Sequence, residues 1–169
     1  MSAVIKVKGL KMGYGDRVIM KKLDFEINAG EVFVILGGSG CGKSTLLKHM
    51  IGLYSPLAGD IRIKEQSIVK ANREEKRAIM QEFGVMYQSG ALFGSMTLAD
   101  NISMVLEEYT KLDKRARDKK AAEKLALVDL KGFEKFYPSE ISGGMKKRAA
   151  LARALALNPD ILFFDEPSA

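Results

Sequence analysis

The chain has no tryptophan, one cysteine, one histidine and four prolines in 169 residues. A lone Cys41 cannot close an internal disulfide, so a stapled scaffold is excluded and a reducing compartment is the natural setting. Also missing is any apolar run long enough to span a bilayer. The longest candidate, residues 149–157, is interrupted by Arg153. The opening stretch Met-Ser-Ala-Val-Ile-Lys-Val-Lys-Gly carries neither an apolar h-region nor a cleavage site, so it does not read as a signal peptide. Any membrane role is therefore expected to come through a partner. Hydrophobic content of 47% and charged content of 28% are those of a globular chain, and the length fits one domain. The net charge of +6 raises the question of nucleic acid, but the basic residues are spread along the whole chain. Residues 111–124 mix both signs, with Asp113 and Arg117 spaced to pair on a solvated helix face, so no nucleic-acid partner is expected.

The first third reads as β. Residues 4–8 and 18–27 are short, partly alternating runs separated by the turn-prone Gly13-Tyr14-Gly15-Asp16, and Asn28-Ala29-Gly30 makes a second turn. Residues 31–36 (Glu-Val-Phe-Val-Ile-Leu) form a continuous apolar run, the pattern of a strand buried on both faces. A glycine-rich loop follows, then a helix over residues 43–51 that ends at Gly52. Residues 53–64, with Pro56 and Gly59, read as a turn into another strand. The second half is helical. Thr97 and Asp100 form a capping box opening a helix to about Tyr109, and Asp113 caps the next, to about Val128. Ser142 starts a third helix, Asn158-Pro159 ends it, and residues 161–164 are a short buried strand.

Gly37-Gly38-Ser39-Gly40-Cys41-Gly42-Lys43-Ser44 satisfies the phosphate-loop pattern G-x-x-x-x-G-K-[ST]. A nucleoside triphosphate must be held without a bulky cage. Glycines let backbone N–H groups turn inward around the phosphates, and the helix that follows aims its positive dipole end at them. Lys43 is placed to reach the β- and γ-phosphates and Ser44 to ligate Mg²⁺, with Thr45 beside it, while Cys41 fills a small position in the loop. Asp165 and Glu166 close the last apolar strand, and two adjacent carboxylates there are costly unless a cation or substrate uses them. Asp165 is expected to hold Mg²⁺ through water, and Glu166 to act as general base on the attacking water.

Ile141-Ser142-Gly143-Gly144-Met145 precedes the last helix. Ser142 is an N-cap, and the paired glycines bare a helix N-terminus, a second anion site that one triphosphate does not need from one chain. Here the sequence resembles the ABC ATPases, whose signature reads Leu-Ser-Gly-Gly-Gln. The resemblance covers essentially the whole chain. It implies an α/β fold: a P-loop NTPase core with an N-terminal antiparallel β subdomain and a helical signature subdomain. Residues 1–88 and 159–169 would form the core with its β subdomain, and residues 89–158 the Q-loop and signature subdomain. It further implies ATP and Mg²⁺ as cofactors, and a head-to-tail dimer in which Ser142, Gly143 and Gly144 of one subunit face the γ-phosphate on the other. Tyr14 looks like the aromatic that stacks on adenine. Gln88 is similar to the Q-loop glutamine that touches Mg²⁺ or the attacking water and acts in catalysis with Lys43 and Glu166. The expected partner is a transmembrane permease, and the expected place is the cytoplasmic face of the inner membrane.

Two departures narrow the resemblance. Met145 replaces the signature glutamine, and Ser89-Gly90-Ala91-Leu92-Phe93 follows Gln88. Both look like the ATPases of MCE-type lipid transporters, which implies a phospholipid cargo and an MCE-domain protein as a further partner. Other ABC importers or exporters, and non-transport ABC proteins, are the rival readings. Leu92, Phe93 and Met96 are expected to be exposed together on a loop as a permease-docking surface. The family's D-loop would begin at Pro167-Ser168-Ala169, with its γ-phosphate histidine on a later strand, so an incomplete cassette is expected. His49 lies on the wrong element to replace that histidine and reads as a packing or surface residue.

Overall fold

The computed structural model describes residues 3–14 and 17–165, with Tyr14 and Arg17 described by their backbone alone. The chain divides into two compact units, Met1–Met80 and Gln81–Ala169.

In the first unit, strands β1 (Ala3–Tyr14), β2 (Arg17–Asn28), β3 (Ala58–Ile63) and β4 (Gln66–Ser67) form a sheet in the order β2-β1-β3-β4, antiparallel at every pairing. Both hairpin strands are longer than the sequence runs indicated. β1 explains why its alternation is broken: Ile5 and Val7 point into the core, and so do Leu10 and Met12, one residue out of phase. A register shift between Val7 and Leu10 absorbs the extra residue. Gly9 supplies the positive φ of +57° there, and its N–H donates to Asp24 Oδ1 at 2.7 Å. Helices α1 (Lys43–Met50) and α2 (Arg73–Ile79) complete the unit. Asn72 and Glu75 cap α2 reciprocally, a local signal that the apolar pattern left unread.

Residues 31–36 correct the expectation of a buried strand. They are irregular and exposed, Val32 at 93% and Leu36 at 86%. Among the described residues no strand pairs with them, although the Phe33 ring stacks on Phe25 of β2 with centroids 5.2 Å apart. A strand in a parallel sheet owes its order to neighbours rather than to local propensity, so an apolar run without a ladder partner is left as open chain. Asn28 N–H and side chain donate to the Glu31 carboxylate, at 2.8 and 2.9 Å, and hold it below the usual carboxylate range.

The second unit is built on β5 (Phe83–Met86) and β6 (Ile161–Phe164), paired in parallel with Phe83 opposite Ile161 and Met86 opposite Phe164. β5 is the strand the sequence concealed. Helices α3 (Leu98–Tyr109), α4 (Lys114–Ala126) and α5 (Gly143–Ala154) begin at the caps expected from Thr97, Asp113 and Ser142. Their shared core takes Leu98, Ile102 and Leu106 from α3, Ala121 and Leu125 from α4, and Ala149 and Ala152 from α5. The alanines let the helices approach closely; each buried Leu or Ile contributes about 1.5–3 kcal/mol. The expected Asp113–Arg117 pair is not the one formed. Asp113 accepts from Ala116 N–H at 2.8 Å as the α4 cap, and Arg117 reaches Glu107 at 3.2 Å and the Leu112 carbonyl at 2.9 Å. A carboxylate already engaged by the helix end is not free to turn toward the next turn of its own helix.

Asn101, 0% exposed on α3, fixes the turn before that helix. Its Oδ1 accepts from Phe93 N–H at 2.8 Å, and its amide N–H groups donate to the carbonyls of Phe93, Met96 and Thr97 at 3.1, 3.3 and 2.9 Å. Replacing Asn101 with Ala strands these backbone groups and is expected to cost about 2–3 kcal/mol. Urea unfolding of the variant beside the wild type measures this; a loss below ~0.5 kcal/mol would contradict the bracing role.

Candidate nucleotide-binding site

The phosphate-loop residues lie in the first unit, directly before α1. Cys41 N–H donates to the Gly38 carbonyl at 3.3 Å, closing a tight turn, and Leu46 N–H donates to the Gly42 carbonyl at 2.8 Å, opening the helix. Gly42 is the N-cap, with φ +103°. A Cβ there would stand 2.9 Å from Ile19 Cγ2 and 3.3 Å from Met12 Cε, so both backbone conformation and space demand glycine. Gly37 is constrained by the loop itself, since a Cβ would fall 2.5 Å from Cys41 Sγ. That contact explains a small residue at position 41. The loop is exposed from Gly37 to Cys41, and Ser44 is half-buried and Thr45 buried at the start of α1. Lys43 Nζ folds back over the loop and donates to the carbonyls of Gly37 at 2.8 Å and Gly38 at 3.1 Å.

His49 is buried as a packing residue. Its Nδ1–H donates to the Thr45 carbonyl at 2.8 Å, and its ring meets Tyr54 edge-on at 5.8 Å.

The first turn of α1 contains no acidic residue, and neither does the first turn of α5. Helices α2 and α3 place Glu74 with Glu75, and Asp100, in theirs. The two helices opened by glycine-rich motifs therefore carry no carboxylate of their own in the first turn, where the helix dipole favours negative charge. At α5, Ser142 Oγ accepts from Met145 N–H at 3.3 Å. Gly143 and Gly144 are exposed with no heavy atom within 4 Å of where a Cβ would stand, so the helix end is open to approach.

In the second unit the parallel register brings two strand ends together. Asp165 N–H donates to the Met86 carbonyl at 2.9 Å, extending the ladder by one bond past β6. Gln88 stands two residues beyond Met86, exposed in a turn closed by Gly90 N–H donating to the Tyr87 carbonyl at 2.8 Å. Gln88 and Asp165 thus leave the carboxyl end of the same parallel sheet, where ligands of open α/β sheets bind. Arg153 of α5 donates to the carbonyls of Ala91 at 2.8 Å and Gly90 at 2.9 Å, and burial lowers its guanidinium from the ordinary arginine value. Side-chain spacing carries no sign of this contact, because its acceptors are backbone carbonyls 62 and 63 positions away.

Two site residues fall outside the description. Glu166 is not among the described residues, and the side chain of Tyr14, needed for adenine stacking, is not described. The apolar cluster expected after Gln88 is only partly exposed. Phe93 is 48% exposed, whereas Leu92 packs against the helical core and Met96 is half-buried. Burying Leu92 on the core removes its apolar surface from water, which a fully open loop would not do.

Comparison with known proteins agrees with this arrangement. The family model described as ABC transporter matches residues 20–169. The chain is 48% identical over 167 residues to a probable ribonucleotide transport ATP-binding protein of Mycobacterium leprae, covering 99% of the chain and 48% of the relative. It is 41% identical over 164 residues to the intermembrane phospholipid transport system ATP-binding protein MlaF of Haemophilus influenzae, covering 97% and 62%. The chain thus spans about half to three-fifths of the length of these relatives. A solved dimeric ATP-binding cassette, MJ0796 in a post-hydrolysis state bound to ADP and Pi, superposes with a TM-score of 0.86 at 30% identity, covering 97% of the chain and 74% of the cassette. With the glycine-turned loop before α1, the open N-terminus of α5 and the paired ends of β5 and β6, these matches establish that the chain belongs to the ABC transporter family.

Proposed function

We propose that the chain is the nucleotide-binding part of an ATP-hydrolysing motor subunit of an ABC transporter. The observation that carries this reading is the loop before α1, with Gly42 in a left-handed conformation that disfavours a side chain, Gly37 close against Cys41, and Lys43 lying over the loop's own carbonyls. The lysine ammonium lies over the loop, so binding ATP would exchange its carbonyl partners for more strongly attracting phosphate oxygens. Gly37 to Thr45 cradle the phosphates with backbone N–H groups, and Tyr14 stacks on the adenine.

Ser44, Asp165 and Gln88 supply a hydroxyl, a carboxylate and an amide oxygen, hard donors of the kind Mg²⁺ prefers. When bound, Mg²⁺ offsets the charge on the β- and γ-phosphate oxygens. Gln88 orients the attacking water, and Glu166 takes its proton as general base. Ser142, Gly143 and Gly144 contact the γ-phosphate bound to a second copy of the subunit; the open α5 N-terminus and the dimeric cassette of similar fold support this.

In functional terms residues 1–88 with 159–169 form the nucleotide core, and residues 89–158 the arm toward a transmembrane permease at the cytoplasmic face of the inner membrane. No helix is long and apolar enough to cross a membrane among the described residues, and the permease supplies the crossing. Similarity to the MlaF protein supports a phospholipid cargo and an MCE-domain protein as a further partner. Similarity to the Mycobacterium protein, named for ribonucleotide transport, favours a nucleotide cargo as the second reading. Mass spectrometry of small molecules bound to the purified transporter separates them: co-purified phospholipid supports the first, and ribonucleotide without lipid the second.

Lys43→Ala in the full-length protein is expected to weaken ATP binding about tenfold to a hundredfold, the worth of one or two charge-assisted hydrogen bonds. Glu166→Gln is expected to keep binding within about twofold while turnover falls at least a hundredfold, since one general base contributes about that much. Equilibrium binding and steady-state hydrolysis test both, and wild-type turnover by Glu166→Gln overturns the general-base role. Phe93→Glu is expected to leave hydrolysis by the isolated subunit unchanged while abolishing co-purification with the permease. Undiminished co-purification would remove Phe93 from the docking surface.

A further inference from the structure

We propose that Arg153 is a positioning residue for Gln88: it clamps the loop carrying the glutamine onto the helix that begins at Gly143 and Gly144, so that the two move as one body. The inference rests on the reading of Gln88 as a residue that touches Mg²⁺ or the attacking water.

Gln88 is the second residue of a turn whose closing bond runs from Gly90 N–H to the Tyr87 carbonyl at 2.8 Å. The Gly90 carbonyl and the next one, of Ala91, both accept from the Arg153 guanidinium, at 2.9 and 2.8 Å. One planar fork therefore holds two successive peptide groups, which fixes orientation as well as distance. Those two residues have φ of +73° and +46°. The second is an alanine in a conformation its Cβ disfavours, so the segment is held in place by its surroundings rather than by its own preference.

Close packing adds to the clamp. A Cβ on Gly90 would stand 3.2 Å from Ala150 Cβ and 3.5 Å from the Lys146 carbonyl, so the loop backbone lies flat against α5. A Cβ on Gly84 would stand 2.1 Å from the Ala154 carbonyl, so β5, which leads into the loop, is pressed on the end of the same helix. The glutamine turn is thus fastened at Gly84, Gly90 and Ala91 to a helix of 12 residues, about 18 Å long, whose other end is the open Ser142-Gly143-Gly144 turn. A displacement of that turn is carried by the rigid helix to Gln88. Without Arg153 the helix can move while the glutamine turn relaxes, which lowers turnover. Nucleotide binding, which draws on Lys43 in the other unit, is untouched.

The test is a double-mutant cycle in the full-length protein, reading kcat, the KM for ATP and the equilibrium affinity for ATP. Arg153→Met is expected to lower kcat about tenfold with KM and affinity within about twofold, and Arg153→Lys, which can reach one carbonyl but not both, to recover part of the loss. In a Gln88→Ala background, Arg153→Met is expected to cost less than about twofold more. If Gln88→Ala is impaired and the two losses simply multiply, Arg153 does not act through Gln88 and the proposal fails, while the role of Gln88 stands. If Gln88→Ala turns over at the wild-type rate, the role of Gln88 fails and takes the proposal with it. An equal fall in kcat and ATP affinity would show Arg153 to be merely structural. Should Arg153→Met not fold, Arg153→Lys carries the same cycle.

Discussion

Pairing of β5 with β6 joins segments far apart in the sequence, and the second unit is organised around that parallel ladder. Because side-by-side parallel strands end on the same edge, Gln88 and Asp165 leave the sheet as neighbours without any direct bond between them. The aromatic contact between Phe83 and Phe163, ring centroids 5.4 Å apart, locks the register on one face. A slip by one residue would turn Phe163 and Ile161 away from their buried face. It would also break the Asp165 N–H bond to Met86, and with it the shared strand end.

How much of this was legible in the chain depended on how local the cause is. Thr97 with Asp100, Asp113 and Ser142 announced helices because a cap and its amide lie within four residues of each other. The phosphate loop was legible for the same reason. Residues 31–36 show the opposite case. Their apolar content indicates a buried strand and the structure does not form one, because a ladder partner is supplied by distant chain and none pairs with them among the described residues. β5 was concealed by Gly84, which weakens any strand pattern yet is required because the Ala154 carbonyl occupies the space of its side chain. Arg153 drew notice only as an interruption of an apolar run; its acceptors are backbone carbonyls, common to every residue type.

The charge of the molecule gains meaning only when placed on elements. A net +6 spread over the chain identifies nothing. Carboxylates sit in the first turns of α2 and α3 and at the N-cap of α4, as Asp113, whereas α1 opens on Gly42 and α5 on Ser142 with no acid in the first turn. On the function proposed above, a nucleotide held by one copy would use the α1 end. On the same proposal, the α5 end would meet the nucleotide held by a second copy, a reciprocal contact of the kind a two-fold symmetric pair makes.

The phosphate loop keeps its shape even though the residues just before it are open chain. Three contacts account for this: Gly42 against Ile19 and Met12 of the hairpin, the Cys41 N–H bond to Gly38, and Lys43 across the carbonyls of Gly37 and Gly38. None of them involves residues 31–36, so the loop's form belongs to the hairpin and α1 rather than to a preceding strand. On the function proposed above, the lysine contact is the one a nucleotide would exchange. Trading those two carbonyl acceptors for phosphate oxygens would gain charge-assisted bonds while the glycine turn stays where its own sterics put it. A loop ordered by its own ammonium group has less conformational entropy to lose on binding than a glycine segment free in water, and that is the sense in which it is preorganised.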